Sequence, residues 1–269
     1  MNFSWKRGCP LVGTMDASVL CPSAYPGASS TELGALKIAV GNREYRWDDV
    51  FSIAGDTLQH WNLPGNENYL YLGQGLAGGS IKVTGHAGDY AGVRMQGGVL
   101  TIEGDAGFRL GAGMSGGYIW VTGNAGAEVG GPVPGSFTGM SDGEILIQGV
   151  AGARAGFRMC RGLIAAGGVS EFAGYELQAG TLIIQRGPLL HPGMHMKRGT
   201  IVLLDARVTP GWSHFTAECI MEPVIVRMML RRLKQLKYLF PRDAIDGRYQ
   251  LYSGDTLMTG QGELMVLMR

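Results

Sequence analysis

Charged residues are scarce in this sequence. Asp, Glu, Lys and Arg together make up 17% of the chain, whereas a typical soluble domain carries about 25%. The deficit predicts that other chains cover part of the molecular surface. The formal net charge is only +1, so the overall charge does not call for nucleic acid or an anionic membrane as a partner.

Long apolar runs and paired cysteines are missing as well. No stretch approaches the roughly 20 apolar residues that cross a bilayer, and the N-terminal residues lack the apolar segment of a signal peptide. The four cysteines form no C-x-x-C pair, which argues against a zinc knuckle or a redox motif. They are Cys9, Cys21, Cys160 and Cys219. We therefore expect reduced thiols and a cytoplasmic location.

Glycine, by contrast, is abundant, with 45 residues, and it recurs at a nearly fixed period. Seven glycines open successive units: Gly79, Gly98, Gly117, Gly143, Gly162, Gly180 and Gly199. Their spacings are 19, 19, 26, 19, 18 and 19 residues. A constant period of this length is typical of a solenoid built from stacked repeats.

Each unit begins with a strand pattern. Aliphatic or small residues stand two and four positions after the opening glycine, as Ile81 and Val83 follow Gly79. This alternation predicts a β-strand whose two columns point inward. A further column, three positions before each opening glycine, is expected to fill the interior with adaptable side chains. It consists of Leu76, Met95, Met114, Met140, Met159, Leu177 and Met196.

Glycine triplets follow the strands. Gly85, Gly88 and Gly92 have the spacing G-x-x-G-x-x-x-G, which recurs in the next three units and weakens in the fifth and sixth. Such triplets predict corners where the backbone turns tightly or takes a positive φ. We therefore predict an all-β fold, a right-handed parallel β-helix with about 19 residues per coil, stacked about 4.8 Å apart. A left-handed hexapeptide helix would instead show an aliphatic signal every six residues.

Three regions are predicted along the chain. Residues 1–48 form an N-terminal cap, residues 49–204 carry the β-helix repeats, and residues 205–269 form a C-terminal cap with an amphipathic basic helix. The runs 50–55 and 69–73 look like degenerate earlier coils. Caps are expected because an open coil end exposes strand edges.

The G-x-I-x-V-x-G-x-A-G unit, the glycine triplets and the chain length resemble the C subunit of formylmethanofuran dehydrogenase and its bacterial counterpart in the formyltransferase/hydrolase complex. The same repeat resembles the C-terminal domain of the glutamate synthase large subunit. The resemblance covers residues 50–204. It implies a right-handed β-helix without a redox centre, in a hetero-oligomeric complex. The other subunits would supply an amidohydrolase-like metal site and act on a tetrahydromethanopterin carrier and a methanofuran-type coenzyme.

The leading hypothesis is a non-catalytic structural subunit of a one-carbon-transfer complex. The resemblance implies that formyl moves from tetrahydromethanopterin to a methanofuran-type coenzyme and is hydrolysed to formate, or, in the archaeal type, that CO2 is reduced onto methanofuran. We assign no catalytic residue, metal or bound cofactor to this chain. His191 and His195 are four apart, but Pro192 and Gly193 oppose the helix that would make them a zinc pair. The alternatives are a glutamate-synthase-like subunit and a stand-alone solenoid enzyme.

Partner contacts are predicted first on an outward column, three positions after each opening glycine. From Trp120 onward this column is largely apolar and includes Leu146, Ile183 and Val202. Monomers avoid a long exposed apolar stripe. Either the chain's own C-terminal helix or a partner subunit should therefore cover it.

Two further segments are candidates for partner contact. The predicted helix between Pro223 and Pro241 has an apolar stripe that includes Met228 and Leu239. Its basic face, Arg227, Arg231, Arg232 and Lys234, is either solvated or meets an acidic partner or a polyglutamyl coenzyme tail. The 26-residue unit carries an insertion near residues 131–137, where Phe137 is predicted to anchor in a partner.

Overall fold

The structure is a computed structural model that describes residues 1–6, 13–55, 59–187, 189–205, 207, 211–258 and 260–268. Cys9 lies outside the described residues. Cys21, Cys160 and Cys219 are free thiols. The fold is predominantly β, as predicted.

The strands in chain order are β1 Asn2–Trp5, β2 Met15–Asp16, β3 Lys37–Val40, β4 Arg43–Arg46, β5 Phe51–Ala54, β6 His60–Asn66, β7 Tyr69–Leu70, β8 Ser80–Ala87, β9 Val99–Ile102, β10 Ser115–Val121, β11 Asp142–Ala151, β12 Leu163–Val169, β13 Thr181–Arg186, β14 Arg198–Leu203, β15 Phe215–Met221, β16 Tyr249–Gly254 and β17 Gln261–Leu267. The α-helices are α1 Ser30–Gly34, α2 Trp47–Val50 and α3 Val224–Gln235. Short 3₁₀ turns span Pro22–Ala24 and Arg242–Asp246.

The strands that open the repeats pair in parallel, in sequence order from β8 to β14, within a 13-stranded sheet. Their register places the first aliphatic of each unit beside the same position of the next. These partners run in order through Ile81, Leu100, Ile119, Ile145, Ile164, Leu182 and Ile201. All seven side chains are buried, so the predicted inward column and its stacking are confirmed.

The corners stack in the same way as the strands. The N–H of Gly92 donates to the carbonyl of Leu72, and that of Gly111 to the carbonyl of Ala91, each at 2.8 Å. Parallel bridges also join alanines of consecutive corners, namely Ala87, Ala106, Ala125 and Ala151. Corner backbone groups therefore find partners in the neighbouring repeat, which satisfies polar groups that burial would otherwise leave unpaired.

The predicted methionine column lies in a single interior file. Met95, Met114, Met140 and Met159 are all 0% exposed. Their carbonyls accept hydrogen bonds of 2.8 to 2.9 Å from the next repeat, donated by Ser115, Ser141, Cys160 and Gln178. The file is continuous because each repeat sets its methionine over the one before.

The N-terminal end differs from the expected run of degenerate coils. β6 precedes β8 in the parallel ladder, and β1 lies between β6 and β5, antiparallel to β5. The sequence pattern missed β6 because Pro64 interrupts it, and proline weakens a strand signal. The expected strand at 69–73 shortens to β7, which pairs with β2 in a separate four-stranded sheet.

The C-terminal end returns to the same sheet. β17 pairs in parallel with β14, β16 pairs antiparallel with β17, and β15 forms the outer edge. The predicted C-terminal helix is present as α3 and packs against the outward face of the parallel strands. Within the described ranges, no helix combines the length and the apolar character needed to cross a bilayer.

Candidate partner interface

The outward apolar column is covered by the chain itself. Leu146, Ile183 and Val202 are each 0% exposed. They form a second apolar core with three residues of α3, namely Val226, Leu230 and Leu233. The prediction that these three column residues face a partner is therefore wrong, because α3 occupies that surface. The alternative prediction, that the chain's own C-terminal helix covers the column, is confirmed for these residues.

Trp120 lies at the margin of this second core. Its ring is partly exposed and meets Tyr238 edge-on, with the centroids 6.1 Å apart. The Tyr238 hydroxyl donates to the carbonyl of Ile147 at 2.9 Å, and burial raises the pKa of this phenol well above its ordinary value. This hydrogen bond ties the segment after α3 to β11. Only the exposed part of Trp120 remains available to a partner.

The basic residues of α3 are mostly engaged with acids of the same chain. Arg227 hydrogen-bonds Glu222 at 3.2 Å and forms an ion pair, without a hydrogen bond from its Nε, with Asp246 at 3.2 Å. Arg232 lies 3.3 Å from Glu144, and Arg231 lies 3.9 Å from Asp246.

Local pairing reduces the positive charge that this face offers to an acidic partner. Arg231 nevertheless remains 62% exposed at its side chain, and Lys234 is exposed. Contact between these residues and an acidic partner stays a prediction.

The insertion at 131–137 lies over the corner face of the repeats. Phe137 is 82% exposed, and the guanidinium carbon of Arg158 stands 6.0 Å from its ring centroid. Val133 and Pro134 of the insertion also line an open pocket of about 240 Å³, together with Tyr71, Gln74, Tyr90, Val93 and Arg94. A large exposed aromatic beside an arginine is a frequent anchor in protein interfaces. The predicted partner contact of Phe137 stays a prediction.

A groove that sequence reasoning missed lies between α3 and the start of the parallel strands. Its volume is about 790 Å³, and its lining includes Tyr118, Glu144 and Arg161 from the repeats and Ile225, Met228 and Arg232 from α3. Met228 was predicted to belong to the buried stripe of the helix, but it is 61% exposed. Leu239, assigned to the same stripe, is 72% exposed. The helix therefore has a second, exposed apolar edge. The sequence indicates it, because six of the seven residues in the run 224–230 are apolar, more than one buried face requires.

The groove partly buries the phenol of Tyr118. Burial, followed by the charge of Glu144, raises the pKa of Tyr118 to about 12.

The two histidines of the 191–195 segment are not part of the groove lining. His191 stacks on Phe172, and His195 meets Tyr175 edge-on. Among the side chains that the structure describes, no group of three or more His, Cys, Asp or Glu is placed to hold a metal ion.

Comparisons with known proteins point in one direction. No protein-family model and no curated protein sequence matches the chain. The solved structures that match include an X-ray crystal structure of the formyltransferase/hydrolase complex FhcABCD from Methylorubrum extorquens in complex with methylofuran. The match has a TM-score of 0.88 and 32% sequence identity, and it covers 100% of this chain and 100% of that chain.

Proposed function

Because this chain belongs to the family of a subunit of the formyltransferase/hydrolase complex, we propose that it is the C-type subunit of such a complex and serves as its structural subunit. The full-length match to a chain of FhcABCD carries this proposal. The choice of the C subunit rests on the glycine-punctuated repeat, which resembles that subunit. The match to the bacterial complex favours a formyl transfer and hydrolysis system over an archaeal dehydrogenase.

We further infer that the parallel ladder winds as a right-handed β-helix. Consecutive repeats pair in parallel and in register at their strands, and their corners stack as well. Connections between neighbouring parallel strands of one sheet are almost always right-handed. A rod of stacked repeats offers several long faces, so it can contact more than one subunit at once.

In this proposal, the chemistry takes place on other subunits. Formyl passes from a tetrahydromethanopterin carrier to a methanofuran-type coenzyme and is then hydrolysed to formate at a metal site of a partner. The present chain contributes surface and rigidity. Its free thiols fit a cytoplasmic complex.

The test is tagged purification of this chain from its native organism, with mass identification of the chains that co-elute. We expect the other subunits of a formyltransferase/hydrolase complex, and formyl transfer followed by formate release by the assembly. The purified chain alone should catalyse neither step. Activity of the isolated chain would overturn the structural role, and co-elution with glutamate synthase components would overturn the assignment of the complex.

A further inference from the structure

Arg94 occupies a corner position at which the backbone favours glycine. The equivalent positions of successive repeats form a column: Gly75, Arg94, Gly113, Pro132, Arg158, Glu176 and His195. Arg94 has a φ of +53°, and the glycines before and after it in the column, Gly75 and Gly113, have φ of +64° and +62°. Glycine adopts this conformation without steric cost. The reason for an arginine at this corner therefore lies in its side chain.

The other long side chains of the column have partners within the chain. Nε of Arg158 lies 2.6 Å from Oε2 of Glu176, which stands at the same position of the next repeat, and His195 meets Tyr175 edge-on. Arg94 is exposed and forms no ion pair with a carboxylate of the described residues. The next repeat places a glycine where Arg158 finds its glutamate. Arg94 therefore lacks the carboxylate that the same arrangement supplies farther along the chain.

Arg94 also lines the open pocket of about 240 Å³ at the insertion. It shares this pocket with Tyr71 and Tyr90, whose ring centroids are 5.1 Å apart, and with Val133 and Pro134 of the insertion. Sites for drug-sized ligands have volumes of about 300–1,000 Å³, so this pocket suits a single side chain. Tyrosine and arginine are enriched where proteins bind one another. A side chain of another protein is therefore the best occupant.

The charge of the pocket selects the kind of side chain. Among the described residues that line it, Arg94 is the only charged one. Two carboxylates of neighbouring corners are engaged elsewhere, since Asp89 accepts the N–H of Phe108 at 2.7 Å and Glu128 pairs with Arg109 at 2.7 Å. An entering carboxylate would meet an unopposed positive charge, whereas a cationic side chain would be repelled.

We propose that this pocket receives an aspartate or glutamate side chain from a partner subunit of the complex, an inference that rests on the proposed function. The carboxylate pairs with the guanidinium of Arg94, as Glu176 pairs with Arg158 inside the chain. The aliphatic part of the entering side chain packs against the rings of Tyr71 and Tyr90.

The test changes Arg94 in the complex expressed in its native organism. Arg94→Gly removes the side chain and suits the φ of +53°, so the yield of the tagged chain should stay the same. With this variant and with Arg94→Gln, we expect recovery of one partner subunit to fall about tenfold. Arg94→Lys keeps the charge and should retain more of that subunit. Arg43→Gln, at an exposed position outside the pocket lining, is the matched control and should keep full recovery.

A photo-crosslinking residue in place of Gln74, which is exposed and lines the pocket, identifies the occupant. We expect adducts with a segment of another subunit that carries an aspartate or glutamate. Arg94→Glu alone should lose this subunit, and an arginine in place of the partner's acidic residue should restore it.

Full partner recovery with both Arg94→Gly and Arg94→Gln would overturn the inference while the proposed function stands. Adducts between two copies of this chain, or with a segment that has no acidic residue, would overturn it as well. If the unmodified chain recovers no partner at all, the proposed function fails, and the pocket assignment fails with it.

Discussion

Glu128 and Arg109 stand one repeat apart in sequence and are joined by an ion pair of 2.7 Å between Oε2 and Nε. The Glu128 side chain is only 4% exposed, and Arg154 of the following repeat reaches its other oxygen at 2.6 Å. Burial alone would lower the pKa of Arg109, but the hydrogen bond and charge of Glu128 raise it above its ordinary value. One carboxylate therefore ties together three successive repeats.

Glu128→Gln should destabilise the chain by about 3 kcal/mol, because it leaves the largely buried Arg109 without its counter-charge. Arg154, whose side chain is 45% exposed, stays solvated and adds little to this cost. Urea unfolding measures the change. Glu171→Gln, at an exposed position of a nearby corner, is the matched control and should change stability by less than about 0.5 kcal/mol. Equal effects of the two variants would mean that the ion pairs add nothing.

The sequence predicts the frame of these repeats but not this triad. The glycines and alternating aliphatics specify strands and corners because each has a period-two or tight-turn signature. Glu128 has no such signature. Glu128 has a φ of +60° at its corner, and the residues at the equivalent corner position of the two neighbouring repeats are Arg109 and Arg154. Its partners are fixed by how the repeats stack, and a one-residue change in corner length would separate them.

Gly88 should tolerate no side chain. A Cβ there would collide with the carbonyl oxygens of Tyr69 and Glu67, and neither backbone can move without breaking the stack. We expect Gly88→Ala to cost about 3 kcal/mol in urea unfolding. Gly78→Ala is the control, because no atom lies within 4 Å of its Cβ. Neither glycine has a positive φ, so the pair isolates the steric effect, and equal stability of the two variants would contradict it.

Truncating a methionine of the interior file should destabilise the chain as much as a large-to-small change in any close-packed core. Met140 is 0% exposed, and Met140→Ala removes a thioether that is completely shielded from solvent. A loss of about 2–5 kcal/mol is expected for a large-to-small change at such a position. Met258→Ala, at a residue that is 45% exposed, should stay within about 0.5 kcal/mol of the parent chain. A small effect at Met140 would mean that the repeats close over the cavity.

The surface of α3 was the least predictable part of the candidate interface. The pattern correctly indicated an amphipathic helix, and Leu230 and Leu233 are buried as expected. It misplaced Met228 and Leu239 because an apolar run of this width fits more than one face of a helix. Which face is buried depends on where β11 to β14 lie against it. That is a tertiary relationship with no local signature in the sequence.

Tyr118 provides a readout of the groove. Its pKa, raised to about 12 by burial and by Glu144, exceeds the value of about 10 for an unfolded tyrosine. The unfolded chain therefore loses this proton first. The contribution of Tyr118 to stability is full below about pH 10 and is lost as the pH rises through about 12.

The check is a titration of phenolate absorbance in the parent chain and in Tyr118→Phe, with the difference assigned to Tyr118. A midpoint near 12 is expected, and Glu144→Gln should lower it, because that change removes the neighbouring negative charge. A midpoint near 10 would contradict the burial of this phenol.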